Sequence, residues 1–295
     1  MTNLEPRTDI ALNNILFATD FSPASEAAFT YAVAIADRYH SKLIVAHVIS
    51  TAAFDLIAAD SAATMLKQAQ QQAREKIDQL LGTKLLQGDR YQPVIAEGMV
   101  AKVLVEMIRR DHIDLAVLGT RGRRTFKKLF LGSTAEEIFR VASCPVLTVG
   151  PKTSSVPANT ELRHILYPLE FAPDSSKAAG YAVALAERYA ANLTLMNVRQ
   201  DMPSSASKSE QATKPVESWI EDHIAQGSNL RNRIRFERGF GSATAAILDF
   251  ATKQSVDAIV MSVTRLDPVM AAHLPKPDTA HEVVSGAPCP VLTIR

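Results

Sequence analysis

A segment rich in glycine, hydroxyl and basic residues, 119–134, combines residue types that suit the binding of an anion. Gly119 and Gly122 stand near its start, and a glycine lets the backbone turn sharply and approach a ligand closely. Gly132, Ser133 and Thr134 stand at its end, where the pattern predicts the first turn of a helix. The unpaired N–H groups and the positive dipole end of such a turn suit a phosphate, and the hydroxyls add donors.

Five cations lie within eight residues of the same segment, at Arg121, Arg123, Arg124, Lys127 and Lys128. They can surround a phosphate, but a charge run of this kind is also typical of a solvated loop. A nucleic-acid surface is the weaker interpretation, because no series of aromatic residues accompanies the cations. The whole chain carries 32 basic and 31 acidic side chains, a net charge of +1, so it lacks the bulk positive charge of a protein that coats nucleic acid.

The elements that must position this segment alternate between strand and helix patterns. Apolar runs at 14–19, 43–49, 115–118 and 146–149 read as strands buried on both faces, as in a parallel sheet. Ser22 and Pro23 follow the first strand as an N-cap and a proline at the first helical position. The sequence therefore predicts an α/β fold, a doubly wound parallel five-stranded sheet of flavodoxin-like or Rossmann-like type. Such sheets bind ligands beyond the carboxyl ends of their strands.

The pattern occurs twice in the 295 residues. Tyr31–Tyr39 recurs almost unchanged as Tyr181–Tyr189, and the segment that begins at Cys144 recurs from Cys289. We therefore expect two tandem domains of one fold, at 1–150 and 161–295, joined by a Pro- and Ser-rich linker at 151–160.

The G-x2-G-x9-G-S spacing resembles the ATP-binding motif of the universal stress proteins. Asp20 after the first strand, the His-Val-Ile end of the second strand and the Cys-Pro-Val-Leu-Thr-Val ending are similar to that family too. The resemblance covers residues 12–150 well and 162–295 in outline. It implies a tandem protein with the adenine nucleotide alpha hydrolase-like fold, which binds ATP, with Mg²⁺, and acts in stress adaptation.

The resemblance also implies a role for each matching residue of the first repeat. Asp20 and the backbone of Val48 would hold the adenosine end, and Gly119 and Gly122 would let the loop pass close to ribose and phosphates. The phosphates would meet Gly132, Ser133 and Thr134, with added charge from Arg121 and Arg123.

The second repeat departs from this motif. Glu170 stands at the position of Asp20, Ser262 at that of Gly119 and Arg265 at that of Gly122. Pro277 and Asp278 stand where Gly132 and Ser133 stood, and a proline has no N–H to offer while an aspartate repels a phosphate. We therefore expect a second domain that does not bind ATP in the family manner.

Several alternatives stay open at this stage. Asp20 can cap the helix at Pro23, His47 can be a structural histidine, and Cys144 and Cys289 favour buried thiols over redox work. A slow ATPase or a phosphoryl or nucleotidyl transferase could use the same site. The chain could also be mainly an assembly module, because the family resemblance implies pairing of the last strands, 145–149 and 290–294, as an intramolecular pseudo-dimer or a homodimer.

The expected setting is cytoplasmic. The N-terminus lacks the basic start and apolar stretch of a signal peptide, and no apolar run is long enough to suggest a membrane span. The expected partners are an adenine nucleotide and an unidentified protein, rather than a nucleic acid or a membrane.

Overall fold

The computed structural model describes most of the chain, and the description below covers these residues: 10–54, 58–82, 89–120, 132–150, 153, 161–169, 176–200, 214–263 and 278–295. Two compact units divide the chain, built mainly from 11–151 and 161–295. In the described parts of the chain, no helix is both long enough and apolar enough to cross a membrane.

The first unit alternates strands and helices from its first element to its last. Its elements are β1 (Asn14–Ala18), α1 (Pro23–Tyr39), β2 (Lys42–Ser50), a 3-10 turn (Thr51–Ala53), α2 (Ala59–Gly82), β3 (Tyr91–Gly98), α3 (Val100–Arg110), β4 (Leu115–Gly119), α4 (Ser133–Val141) and β5 (Val146–Val149). The elements expected from the sequence are confirmed here, with ends that differ by a residue or two.

The second unit repeats the series. Its elements are β6 (His164–Pro168), α5 (Ser176–Arg188), β7 (Asn192–Arg199), α6 (Lys214–His223), a 3-10 turn (Asn229–Arg233), β8 (Ile234–Phe240), α7 (Ala243–Lys253), β9 (Ala258–Ser262), α8 (Thr279–Gly286) and β10 (Val291–Ile294).

Each unit contains five parallel strands in the same order. The order is β3-β2-β1-β4-β5 in the first unit and β8-β7-β6-β9-β10 in the second. This is the Rossmann-like order, and the strand order reverses beside the first strand of each unit. Ile15, Leu16 and Phe17 of β1 are at most 1% exposed, as expected of a strand with helices on both faces. The predicted fold class is confirmed, and its Rossmann-like variant is the one present.

Helix α1 begins and ends where its sequence signals lie. Ser22 is the N-cap and accepts a hydrogen bond from the Ser25 amide, with Pro23 next in the chain. His40 ends the helix in the left-handed conformation, with φ of 56°. Ala28, Ala32 and Ala36 are fully buried, so one face of α1 is made of small side chains that lie close to the sheet.

An aspartate fastens the start of the first strand in each unit. The Asp114 carboxylate accepts the backbone N–H groups of Asn13 and Asn14, at 2.7 and 3.0 Å. Asp257 accepts the amides of Arg163 and His164 in the same way, both at 2.8 Å. Each carboxylate therefore joins the segment before β4 or β9 to the start of the neighbouring central strand.

The end of β4 lies directly against the start of α1. A Cβ atom at Gly119 would meet the backbone nitrogen of Ser25 at 2.7 Å and the backbone carbon and oxygen of Ala24 at 2.8 and 2.9 Å. These are backbone atoms, so a side chain at 119 can be accommodated only if the helix shifts. The glycine that the family resemblance assigns to the ligand is thus required first by packing between β4 and α1.

We expect Asp114→Ala and Asp257→Ala each to lower the free energy of unfolding by about 1–3 kcal/mol, because two backbone N–H groups lose a charged acceptor. Urea unfolding followed by circular dichroism measures this. Asp249→Ala is the control, since its pair with Lys253 is exposed and contributes about 0.5 kcal/mol or less. Losses no larger than the control's would show that the carboxylates do not stabilise the fold.

We expect Gly119→Ala to lower the thermal midpoint of the protein, because the added methyl group forces the start of α1 away from β4 at a cost of about 1–3 kcal/mol. The matched control is Gly180→Ala in α5, where an added Cβ atom meets nothing within 4 Å. Differential scanning calorimetry measures both variants. An unchanged midpoint for Gly119→Ala would contradict the close packing described here.

Candidate functional site

A cavity of about 740 Å³ lies at the carboxyl ends of β1, β2 and β4 in the first unit. The start of α1, one face of α2 and the first residues of α3 and α4 complete its wall. Its lining residues include Thr19, Asp20, Phe21, Ser25, His47, Val48, Gln72, Lys76, Val100, Gly119, Gly132, Ser133, Thr134 and Ala135. The cavity thus occupies the position at which the strand order reverses, where doubly wound sheets bind ligands.

Six of the sequence-predicted site residues lie together in this wall. They are Asp20, Val48, Gly119, Gly132, Ser133 and Thr134. Arg121 and Gly122, together with Arg123, lie outside the described residues. The sequence pattern had selected residues distant in sequence, and the fold brings them to one cavity.

Asp20 supports the turn that leads into α1. Its Oδ1 atom accepts the Ser22 backbone N–H at 3.0 Å. The N-cap itself is Ser22, whose hydroxyl accepts the Ser25 amide at 3.3 Å. The capping role considered for Asp20 therefore belongs to Ser22, and the Asp20 carboxylate sits on a turn of fixed geometry at the cavity wall.

A hydroxyl network holds the same turn from the buried side. Thr19 is 6% exposed, and its Oγ1 atom accepts the Phe21 amide at 3.0 Å and lies 3.0 Å from Ser25 Oγ. The Ser25 hydroxyl in turn donates to the Ser22 carbonyl at 2.9 Å. Phe21 adopts φ of 57°, a left-handed conformation that is unfavourable for an aromatic residue and is held here by these neighbours.

His47 and Lys76 bring nitrogen atoms to the same end of the cavity. His47 Nδ1 lies 2.8 Å from the Thr19 carbonyl oxygen, and the His47 ring lies 4.5 Å from the Phe21 ring, centroid to centroid. The Lys76 ammonium lies 5.4 Å from the centre of the Phe21 ring. Among the described residues there is no group of three His, Cys, Asp or Glu side chains that could hold a metal ion.

Sequence reasoning missed Lys76, Thr19 and Phe21 as cavity residues. Lys76 could have been found, because it lies three residues after Ala73 and is therefore close to the face of α2 that Ala73 buries, where a charged residue is unusual. Nothing in the local sequence signals the left-handed backbone at Phe21.

The start of α4 leaves donors facing the cavity. Gly132 is the N-cap, with φ of −63° and ψ of 140°, and no side chain caps the helix there. The Gly132 amide donates to the Thr120 carbonyl at 2.7 Å, so this N–H is already used by the fold. The backbone donors that suit an anion are therefore the next ones, at Ser133 and Thr134, rather than that of Gly132.

The corresponding helix start in the second unit carries its own acceptor. Asp278 is the N-cap of α8, and its Oδ1 atom accepts the His281 amide at 2.8 Å. Ser262 ends β9 where Gly119 ends β4. Glu170, Arg265 and Pro277, the other departures noted in the second repeat, lie outside the described residues.

The second unit carries a large buried side chain on the helix that precedes β8. Trp219 on α6 and Lys76 on α2 stand at the same distance in sequence before the following strand. Trp219 is 7% exposed, and its ring lies 5.8 Å from that of the fully buried Tyr167.

Both cysteines are buried, and neither is part of a disulfide bond. Burial, reinforced by the nearby Asp257 carboxylate, raises the pKa of the Cys289 thiol to about 12. A thiol with this pKa stays protonated near neutral pH and is a poor nucleophile, in line with the structural role expected from the sequence.

Comparison with known proteins agrees with this architecture. The profile of the Universal stress protein family matches residues 12–150 and again 161–295. Universal stress protein MJ0531 of Methanocaldococcus jannaschii is 29% identical over 139 residues, which span 46% of this chain and 80% of that protein. Universal stress protein A homolog 1 of Coxiella burnetii is 33% identical over 142 residues, spanning 47% of this chain and 96% of that protein.

A solved structure supports the fold over nearly the full length. A universal stress protein from Archaeoglobus fulgidus superposes with a TM-score of 0.71 at 18% identity, and the match covers 96% of each chain. With the repeated strand order and two profile matches that together span most of the sequence, the chain belongs to the universal stress protein family.

Proposed function

We propose that this protein binds ATP in its first unit and acts as a nucleotide-dependent regulatory protein in stress adaptation. The observation that carries the proposal is the start of α4. It has no side-chain cap, and its Ser133 and Thr134 line the cavity at the switch point of the sheet. Backbone N–H groups at a helix start, with a hydroxyl on each of the two residues, form a natural binding site for a phosphate chain.

The remaining wall fits the other parts of a nucleotide. A volume of about 740 Å³ is within the range typical of small-molecule sites. The family resemblance assigns Asp20 and the Val48 backbone to the adenosine end, and Asp20 stands on a turn fixed by the Ser22 amide. Lys76 adds a positive charge to the wall, which favours a charged nucleotide over a neutral nucleoside. Mg²⁺ would accompany the triphosphate and would be held by the phosphate oxygens, since Asp20 is assigned to the nucleoside end.

The second unit, in this proposal, does not bind ATP. The Asp278 carboxylate already occupies the helix start with a negative charge, and the His281 amide already has its acceptor. A phosphate there would meet a like charge and would have to replace an existing hydrogen bond.

An enzymatic role is the second candidate, and the cavity favours it less. Asp20 is the single acidic residue among the described residues that line the cavity. These residues therefore include no second carboxylate that could orient a water molecule. We therefore propose that the nucleotide is held as a signal for an unidentified protein partner in the cytoplasm. Pairing of the last strands of the two units into an intramolecular pseudo-dimer, with a further homodimer, belongs to the same proposal.

We expect the full-length protein to bind one Mg-ATP per chain, and Gly132→Asp to weaken binding at least about tenfold, a change of 1.4 kcal/mol. The substitution gives α4 the carboxylate cap that α8 has, so folding stability should stay equal or rise by about 0.5 kcal/mol. Isothermal titration calorimetry measures affinity and stoichiometry.

The matched control for this experiment is Asp278→Gly, which removes the carboxylate cap of α8. It should leave the affinity and the stoichiometry unchanged. Two ATP per chain, or equal affinity in the wild type and Gly132→Asp, would contradict the assignment of the phosphates to α4.

We expect Asp20→Ala to reduce the preference for ATP over inorganic triphosphate, because the carboxylate acts on the nucleoside end. Competition titrations with ATP and triphosphate measure the preference. An equal loss of affinity for both ligands would mean that Asp20 only shapes the turn.

A further inference from the structure

In each unit, a side chain of the second strand forms a hydrogen bond with the backbone at the end of the first strand, but the side chain differs between the units. Thr19, directly after β1, donates its amide to the Ala46 carbonyl at 2.9 Å, and Leu169, directly after β6, donates to the Met196 carbonyl at 2.7 Å. The next residue on β2 is His47, and the next on β7 is Asn197. Both side chains turn back to the first strand: His47 Nδ1 lies 2.8 Å from the Thr19 carbonyl, and Asn197 Nδ2 lies 3.3 Å from the Leu169 carbonyl.

The chemistry of the acceptor fixes the direction of this hydrogen bond. A carbonyl oxygen only accepts, so His47 must carry its hydrogen on Nδ1 and donate it. Asn197 likewise donates through its amide nitrogen. In both units, therefore, a side-chain donor from the second strand fixes the carbonyl group of the residue that directly follows the first strand.

In the first unit that peptide group begins the turn that carries the proposed nucleoside contact. The Thr19 carbonyl belongs to the residue before Asp20, and the Thr19 hydroxyl accepts the amide of the left-handed Phe21. The His47 ring also packs against the Phe21 ring at 4.5 Å. Of these two contacts, the hydrogen bond to the Thr19 carbonyl is the one that the second unit also makes, with an asparagine that has no ring.

We propose that His47 is the positioning residue of the nucleoside end of the site. Its Nδ1–H···O=C bond to Thr19 fixes the backbone that presents Asp20 to the ligand, and any side chain that can donate from this register serves the purpose. The inference rests on the proposed ATP site. It predicts that the hydrogen-bond donor at position 47, rather than the imidazole, is what binding requires.

The test compares His47→Asn with His47→Ala and His47→Val in the full-length protein, with Mg-ATP as the titrant. The alanine and valine variants cannot donate, and we expect about tenfold weaker binding from each. His47→Asn has the side chain that makes this contact in the second unit, and its affinity should lie within about threefold of the wild type. The valine variant preserves strand propensity, so it tests the idea even if the alanine variant does not fold by circular dichroism.

The control substitution is Asn197→Ala, which removes the equivalent bond from the unit that does not bind ATP in this scheme. It should leave the ATP affinity unchanged. Equal affinities for the wild type and the valine variant, or an asparagine variant as weak as the valine variant, would overturn the role of His47.

A measurement without ligand separates this inference from the proposed function. Hydrogen–deuterium exchange of the ligand-free protein should be faster over residues 17–29 in His47→Val than in the wild type, and unchanged in His47→Asn. Absence of ATP binding by the wild type would reject the proposed function. Even then, faster exchange in His47→Val but not in His47→Asn would support the role of the His47 hydrogen bond in fixing the turn. Exchange in His47→Val equal to that of the wild type would reject this role.

Discussion

The contact between the end of β4 and the start of α1 is the constraint on which the site depends. Only a residue without a side chain at 119 allows the Ala24 and Ser25 backbone to lie where it does, because a Cβ atom would come within 2.9 Å of three backbone atoms. This contact brings the end of β4 beside the turn that follows β1. The cavity lies at this junction, so its shape follows from the packing of β4 against α1.

The two units share the hydrogen bonds that support their first strands, and they differ at the start of the helix that follows the fourth strand. The aspartates at 114 and 257 fasten the central strands alike, and His47 and Asn197 hold the strand ends alike. The helices that follow the fourth strands do not begin alike, since α4 begins at an uncapped glycine and α8 at a capping aspartate. The shared hydrogen bonds support the same fold in both units, whereas the two helix starts differ in whether a side chain of the chain itself caps them.

Much of the fold could be read from the sequence because its signals are local. Continuous apolar runs, the Ser22 cap and the Pro23 start sufficed to place β1 and α1, and the repeated segments indicated two domains of one kind. The glycine motif and Asp20 named residues that the fold does gather around one cavity. These features depend on residue type and short-range order, which a sequence displays directly.

What escaped the sequence depends on close approaches between distant segments. The packing reason for Gly119 lies in the backbone of another element, and the hydrogen bond from the Gly132 amide to the Thr120 carbonyl joins residues twelve apart in the sequence. The left-handed Phe21 and its neighbour Lys76 meet only after α2 has packed on the sheet. These contacts have no local signature, so the sequence could mark Lys76 as unusual on its helix face but could not show that it meets Phe21.

The aspartate cap of α8 has an energetic consequence. The Asp278 carboxylate satisfies a backbone N–H group of its own helix from within the chain, whereas no side chain does this at the start of α4. The start of α8 is therefore complete without any bound anion, and its contribution to stability does not vary with the anions in solution.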